Sequence, residues 1–178
     1  MPTIRTPQHR LTSADVAIRI AGPADEAAVR QVLEDSYPAL MAGSYDPELL
    51  ARAMPLMVRP HPRLLAGGTY FLAEEDKQPV GCGGWSLERP GEDAVEPGLA
   101  HIRHFAVRTG KAGRGVGRAL YARCEQDARA AGATRLEVQS SRNGEPFYAA
   151  LGFVRVGPIL VPMGPELDFP SILMVRDI

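Results

Sequence analysis

The stretch LAHIRHFAVRTGKAGRGVGR, from Leu99 to Arg118, decides the fold. Its first part, Leu99 to Val107, predicts a strand, and the glycine cluster that follows predicts a tight loop. A helix is expected from about Gly115 to Ala131, where Gly132 ends it. The buried face of that helix is marked by apolar residues that recur every four positions: Val116, Leu120, Cys124 and Ala128.

The loop KAGRGVGR, Lys111 to Arg118, has the composition of an anion site. Glycines let successive backbone N–H groups turn toward one point and let an anion approach closely. The positive end of the following helix adds attraction, and Arg114 and Arg118 offer charge-assisted contacts. The alternative is a tight turn whose glycines serve steric needs only.

Two common nucleotide motifs do not fit this loop. A phosphate-binding P-loop counted from Gly110 requires Lys after Gly115, where Val116 stands. A dinucleotide fingerprint would require glycine at Arg118 or Leu120.

The flanking sequence predicts short elements of both kinds. Helices are expected from Gly22-Pro23 to Tyr37-Pro38, from Asp46-Pro47 until prolines 55, 60 and 62 break the chain, and from Glu145 to Leu151. Strands are expected at Val16–Ile20, Thr69–Glu74, Val80–Leu87, Arg135–Gln139, Phe153–Val156 and Ile172–Val175. Asp76-Lys77-Gln78 predicts a hairpin turn, and Glu88–Gly98 a loop. The apolar, proline-broken tail is expected to cover the core. This order predicts an α/β (α+β) mixed sheet.

Composition predicts one domain and excludes several functional classes. The 178 residues suit a single core, expected over residues 16–178 after a flexible arm at 1–15. A net charge of -1 provides no basic field for nucleic acid or for a membrane surface. No secretion signal and no apolar run of the ~20 residues that span a bilayer is evident, which favours the cytoplasm.

Two motifs together resemble the GCN5-related N-acetyltransferase (GNAT) family. The first is the strand followed by Gly115-x-Gly117 at the start of a helix. The second is Phe147-Tyr148-x-x-x-Gly152-Phe153, with Asn143-Gly144 before it. The resemblance covers the chain from Val16 to the C-terminus in element order. One departure is Ala112, which stands where the family carries Arg or Gln.

The resemblance implies a mostly antiparallel sheet, flanked by helices, with one parallel strand pair that splays apart to receive acetyl-CoA. Pantetheine would bind the backbone around Phe105 to Val107, where one N–H polarises the thioester carbonyl. Lys111 or Arg114 is expected to replace the contact missing at Ala112. The expected cofactor-binding residues are Phe105, Ala106, Val107, Lys111, Ala112, Gly113, Arg114, Gly115, Val116, Gly117, Arg118, Asn143 and Tyr148.

Tyr148 and His101 are the catalytic residues that the resemblance implies. Tyr148 would protonate the departing thiolate, and His101 would act as the base. Packing roles are the alternatives for both. His101 and His104, three apart on a strand, are expected on opposite faces, which argues against a metal site.

The acceptor pocket is expected around Tyr37, Met41, Tyr45 and Trp85, with ordinary core packing as the alternative. Gly83-Gly84 beside Trp85 indicates a close backbone approach or a bulge. Cys82 and Cys124 are interpreted as core residues, so that transfer would be direct within a ternary complex.

The function expected is transfer of an acetyl group from acetyl-CoA to a primary amine of a small molecule or peptide. We also expect a homodimer that binds no nucleic acid, no membrane and no metal. The alternatives are a non-catalytic acyl-CoA sensor and an acetyltransferase of protein lysines or N-termini. The acidic loop Glu88–Gly98 would serve the last as a rim for cations, or would simply be solvated.

Overall fold

The computed structural model describes residues 16–178, so the flexible arm expected at 1–15 lies outside the described residues. The strands are β1 (Ala17–Ile20), β2 (Tyr70–Glu75), β3 (Gln78–Ser86), β4 (Leu99–Val107), β5 (Arg135–Ser140), β6 (Val154–Gly164) and β7 (Leu167–Asp177). The helices are α1 (Glu26–Met41), α2 (Pro47–Met57), α3 (Pro62–Ala66), α4 (Val116–Ala130) and α5 (Glu145–Ala150).

All strands among residues 16–178 join one mixed sheet in the order β1-β2-β3-β4-β5-β7-β6. Every neighbouring pair is antiparallel except β4 and β5, which are parallel and connected by α4. Their pairing begins at Leu99 with Arg135 and ends at His101 with Glu137, although both strands continue. The predicted fold class, with its splayed parallel pair, is therefore confirmed.

A β-bulge interrupts β4 just beyond the last residue paired with β5. Arg103 lies opposite Gly84 and Ala106 lies opposite Cys82, so β4 carries one extra residue here. His104 adopts a positive φ of 47°, which is uncommon outside glycine. Because of the bulge, Ile102 and Phe105 contact the same core cluster although they are three residues apart.

Two apolar clusters hold the helices to the sheet. One contains the inner face of α4, and the predicted buried stripe of Val116, Leu120, Cys124 and Ala128 is confirmed. The other packs α1, α2 and α3 against the sheet through buried residues such as Val32, Leu33, Ala53 and Leu65. Fully burying an aliphatic side chain of this size contributes roughly 1.5–3 kcal/mol, so both clusters anchor the elements that carry the loops.

Local signals placed several element ends correctly. Asp46 caps α2 by accepting hydrogen bonds from the N–H groups of Glu48 and Leu49, as the Asp-Pro pair predicts. The hairpin turn between β2 and β3 is also confirmed, with positive φ at both Asp76 and Lys77. Gly132, with φ 90°, follows the end of α4.

Three prolines do not break the chain where the sequence predicts. α1 continues past Pro38 to Met41 because Tyr37 and Met41 are both buried, and their packing offsets the backbone hydrogen bond that Pro38 cannot make. Pro55 lies in the last turn of α2, and Pro62 opens α3 at a position where proline is favourable.

The C-terminal tail forms a long hairpin whose buried residues Leu167 and Phe169 belong to a core cluster, so the expectation that it covers the core is confirmed, although its prolines do not break the strands. β6 pairs with β7 from Val154 opposite Val175 to Gly164 opposite Leu167. Pro158 and Pro162 are tolerated because β6 is an edge strand. Pro170 lies beyond Ile172, the last β7 residue that pairs with β5.

Candidate active site

A cavity of about 740 Å³ lies where β4 and β5 have parted. Its lining comes from four parts of the chain: the bulged half of β4, the glycine loop with the start of α4, the end of β5 with α5, and an apolar wall from α1, α2 and the β6–β7 hairpin. Ile102 to Val107 line it from β4 without a β5 partner, so backbone groups on that edge are free of the sheet.

The glycine loop lines this cavity with Gly113, Gly115 and Gly117. Gly113 and Gly115 have φ values of 76° and 85°, and Gly115 caps α4 in the left-handed region. Gly117 allows α4 to pack closely against Phe147, since a Cβ at this position would lie 3.0 Å from the Phe147 ring. No acidic residue occupies the first turn of α4, so the positive helix end remains uncompensated there.

Lys111 and Arg114 are held together by one carboxylate at the end of β2. Lys111 Nζ forms an ion pair with Glu75, and Arg114 Nη2 lies 2.9 Å from Glu75 Oε1. The hydrogen bond from Lys111 is the main reason that the pKa of Glu75 is lowered. Lys111 and Arg118 line the cavity, whereas Arg114 does not.

The start of the loop is tied to α1. The carboxylate of Asp35 accepts hydrogen bonds from the Thr109 N–H at 2.9 Å and from the Thr109 hydroxyl at 3.3 Å. The loop is thus fixed at both its entrance and its cationic middle, which favours a preformed anion site.

Tyr148 lines the cavity from α5 within a cluster of aromatic rings. Its ring makes edge-to-face contacts with Phe147, Phe153 and Phe105 at centroid distances of 5.1, 5.5 and 6.5 Å. Burial raises the pKa of the phenol well above its usual range, and nearby Cys124 raises it further. The hydroxyl therefore stays protonated at neutral pH.

Asn143 also lines the cavity, just before α5. Its Oδ1 is buried without a hydrogen-bond partner among the described residues. A buried carbonyl oxygen in this state is an acceptor available to a ligand N–H.

Comparison with known proteins assigns this arrangement to a family. The profile of the acetyltransferase (GNAT) domain matches residues 57–165, which is more than half of the chain. The chain belongs to the GNAT acetyltransferase family. It is therefore an acyltransferase enzyme. A comparison with curated proteins found no match to its sequence.

Solved GNAT structures share the fold. A GCN5-related N-acetyltransferase from Rhodopseudomonas palustris is 24% identical, with a TM-score of 0.72 over 93% of this chain and 97% of the other. A protein from Desulfovibrio desulfuricans, described as a GNAT-family acetyltransferase, is 26% identical, with a TM-score of 0.60 over 91% and 98%. The PaiA N-acetyltransferase of Thermoplasma acidophilum, solved with coenzyme A, is 13% identical, with a TM-score of 0.66 over 92% and 99%.

His101 is not brought to the cavity of this GNAT domain. It is 2% exposed, and its Nδ1 lies 3.4 Å from Glu137 Oε1 without a hydrogen bond between them. Burial, followed by the positive charges of Arg89 and Arg103, lowers the pKa of His101 to about 4. An enclosed and weakly basic imidazole that does not line the cavity does not fit the role of general base.

His104 lines the cavity, and it does not lie on the face opposite His101. The extra residue of the bulge shifts the alternation of side chains along β4. His104 therefore lies on the same face of the sheet as His101, next to Leu64 and Tyr70. The expectation of opposite faces is therefore wrong, because it assumed an unbroken strand. Burial, followed by the positive charge of Arg103, lowers the pKa of His104 to about 4.

The four predicted pocket residues divide evenly. Tyr37 and Met41 line the cavity. Tyr45 does not: its hydroxyl donates to the Pro170 carbonyl at 2.9 Å and accepts from the Arg142 N–H at 2.7 Å, which joins β7 to the turn before α5. Trp85 is 5% exposed within the core cluster of α4. Loop or strand position alone does not distinguish these aromatic roles.

Other parts of the site were missed from the sequence. Met163 and Phe169 line the cavity from the C-terminal hairpin, which was interpreted as a cover. Ser36 lines it from α1, with its hydroxyl buried and unpartnered among the described residues. Ser36 lies four residues before Leu40, on the same face of a helix that carries predicted pocket residues, and this spacing could have indicated its place in the site.

The two glycines before Trp85 are explained by close packing. A Cβ on Gly83 would lie 2.6 Å from the Phe105 ring, and a Cβ on Gly84 would lie 2.5 Å from Tyr70. The close approach predicted from Gly83-Gly84 is confirmed.

Neither cysteine is accessible as a nucleophile. Cys82 and Cys124 are fully buried. Burial raises the pKa of the Cys82 thiol to about 12 and raises that of Cys124 as well. Within residues 16–178, no helix is long and apolar enough to span a membrane, and no metal-binding cluster of His, Cys, Asp or Glu occurs.

The low pKa of both strand histidines gives a direct prediction. Because burial disfavours the imidazolium, His101 and His104 should remain neutral at pH 6 and titrate only near the value of about 4. The measurement is an NMR titration of the imidazole resonances, assigned with the variants His101→Gln and His104→Gln. In urea the same residues should titrate near the usual value of about 6.5. A folded-state midpoint near 6.5 for His101 would contradict the structure.

Proposed function

We propose that the protein is an N-acetyltransferase that moves an acetyl group from acetyl-CoA to a primary amine by direct transfer in a ternary complex. The observation that carries this proposal is the continuity of one cavity from the glycine loop, along the unpaired edge of β4, to Tyr148. One sheet with two core clusters also supports treating residues 16–178 as a single acetyltransferase domain.

The described residues fit acetyl-CoA along its length. Backbone N–H groups from Gly113 to Gly117 would bind the pyrophosphate, together with Arg118, a lining cation at the start of α4 that has no ion pair with Glu75. The free edge at Phe105 to Val107 would hydrogen-bond the pantetheine amides, and the Asn143 oxygen would accept another N–H. No Asp or Glu lines the cavity in the described part of the chain, so no lining carboxylate repels the phosphates.

The bulge would supply the electrophilic contact. An extra residue leaves backbone groups of a bulged strand outside the ladder, and here they lie next to the cavity. One of these N–H groups would hydrogen-bond the thioester oxygen and stabilise the negative charge that forms there during attack.

Proton movements complete the reaction. The amine nitrogen attacks the carbonyl carbon, the carbon–sulfur bond breaks, and the thiolate takes the phenol proton of Tyr148. The positively charged nitrogen of the adduct loses a proton to water, and water returns a proton to the Tyr148 phenolate. His101 has no part in these steps, and His104 is too weak a base to hold a proton at neutral pH. The acceptor would thus react as the free amine.

Direct transfer is supported by the enclosed thiols. A covalent acyl-enzyme would need an accessible thiolate, and both Cys82 and Cys124 are buried with raised pKa values.

A protein-modifying role is less well supported. Two acids of the 88–98 loop form ion pairs with surface arginines, Asp93 with Arg63 at 2.5 Å and Glu96 with Arg89 at 4.0 Å. Only Pro90 of this loop lines the cavity. Membership of an enzyme family and the placement of Tyr148 favour catalysis over a sensor that only binds acyl-CoA.

The cofactor assignment is tested by a matched pair of glycine variants. Gly115 and Gly132 both have positive φ and open space where a Cβ would lie, so alanine strains both backbones similarly. Gly115→Ala should weaken acetyl-CoA binding by about 10-fold or more, because the N–H groups at the start of α4 lose their alignment. Gly132→Ala, at the far end of α4, should bind as the parent does. Calorimetry on both folded variants measures this, and equal affinities would refute the site.

The acid is tested by Tyr148→Phe, which removes the hydroxyl and keeps the ring contacts. kcat should fall by ~10²-fold or more while KM and acetyl-CoA affinity change little, because the lost proton transfer occurs in the transition state. Steady-state thiol release with an accepted amine measures it, with chemistry shown to be rate-limiting. Near-full kcat in the variant would leave Tyr148 with a packing role only.

A further inference from the structure

The acceptor side of the cavity is almost entirely apolar. Its wall is formed by Leu40, Met41, Leu56, Met57, Met163 and Phe169, from α1, α2 and the C-terminal hairpin. Most of these residues belong to or pack against the core cluster on that side of the sheet. Leu40 and Leu56 are 44% and 43% exposed, so apolar surface continues to the mouth of the cavity. Large apolar side chains left open beside a cavity are a signal of ligand contact.

The charges around the cavity are all positive. Arg103, Lys111 and Arg118 are the lining residues with a permanent charge, and no lining residue within 16–178 is Asp or Glu. Arg103 donates a hydrogen bond of 2.9 Å to the neutral Ser86 hydroxyl. An acceptor with a second positive charge would lose part of its hydration in the cavity without gaining a carboxylate partner. Such a loss is costly, because an unpaired ammonium is strongly stabilised by water.

The wall also contains a buried hydroxyl, that of Ser36. The Ser36 hydroxyl is fully buried, lines the cavity and has no hydrogen-bond partner among the described residues. A hydroxyl can accept one N–H of a neutral amine and so orient its lone pair. Methionine side chains at three wall positions adapt to irregular apolar shapes, so the wall suits a class of amines rather than one outline.

We propose that the acceptor is a small primary amine carried on an apolar body that has no second positive charge. The inference rests on the proposed acetyl transfer and assigns the substrate class of the same site. Apolar contact along Leu56 and Met57 would bind the body of the acceptor, while the absence of carboxylates on the lining described here selects against polyamines.

The test compares two amines of equal length, hexylamine and 1,6-diaminohexane, with the complete enzyme. kcat/KM should be at least ~10-fold higher for hexylamine, after allowance for the two amino groups of the diamine. Leu56→Glu places a carboxylate at the mouth of the cavity and should reduce this preference by about 10-fold or reverse it. Leu160→Glu is the matched control, because Leu160 is 63% exposed on β6 and does not line the cavity. This variant should keep the parent preference.

Calorimetric binding of each amine to the CoA-saturated enzyme separates the two proposals. Equal or better turnover of the diamine by the parent enzyme would overturn the substrate class while leaving acetyl transfer intact. Tighter binding of hexylamine without any thiol release would support the substrate class and contradict the proposed reaction. Failure of both amines to bind, or an equal change in both Glu variants, would overturn the inference.

Discussion

The short pairing of β4 with β5 is the constraint on which the rest of the structure depends. The two strands pair only from Leu99 to His101 on β4 and then separate, although each continues toward the same edge. Unpaired strand edges are costly when buried, and they normally recruit another strand. Here aromatic rings from α5 contact Phe105 across the gap, at centroid distances of 6.4 and 6.5 Å. Apolar packing therefore closes one side of the opening, while the unpaired backbone edge of β4 faces the cavity.

Charge is distributed around this opening in a way that suits an anionic donor. The positive end of α4 lies at the glycine loop without an acid in its first turn. Glu75 forms ion pairs with Lys111 and Arg114, so these two cationic side chains fix the position of the loop. The other polar groups of the lining include the neutral His104 imidazole, the Tyr148 phenol and serine hydroxyls, which can form hydrogen bonds without repelling the donor.

The sequence predicted the elements whose signals are local. The helix after the glycine loop has a left-handed glycine cap and a four-residue apolar repeat, and Asp46-Pro47 has its own capping chemistry. The strand–helix–strand order around α4 indicated a crossover between parallel strands, and family resemblance supplied the splay of this pair, which no local pattern reveals. Gly83-Gly84 indicated a close approach or a bulge, and the register shift between β3 and β4 lies at these glycines. The sequence did not indicate that the extra residue belongs to β4, because tertiary packing imposes a positive φ on His104, a residue that does not require it. Pro158 and Pro162 misled the interpretation of the tail because proline is tolerated on an edge strand, and the edge is defined only by the assembled sheet.

Amide protection on acetyl-CoA binding tests most directly whether the parted strands form the donor site. NMR-detected hydrogen exchange should be recorded for the enzyme alone and saturated with acetyl-CoA. We expect slower exchange at the amides of Phe105, Val107, Gly113, Gly115 and Gly117, which line the cavity, and no change at the paired residues Leu99 to His101. Saturating acetyl-CoA that leaves the β4 edge and glycine-loop amides unprotected, with protection elsewhere, would contradict this placement of the donor.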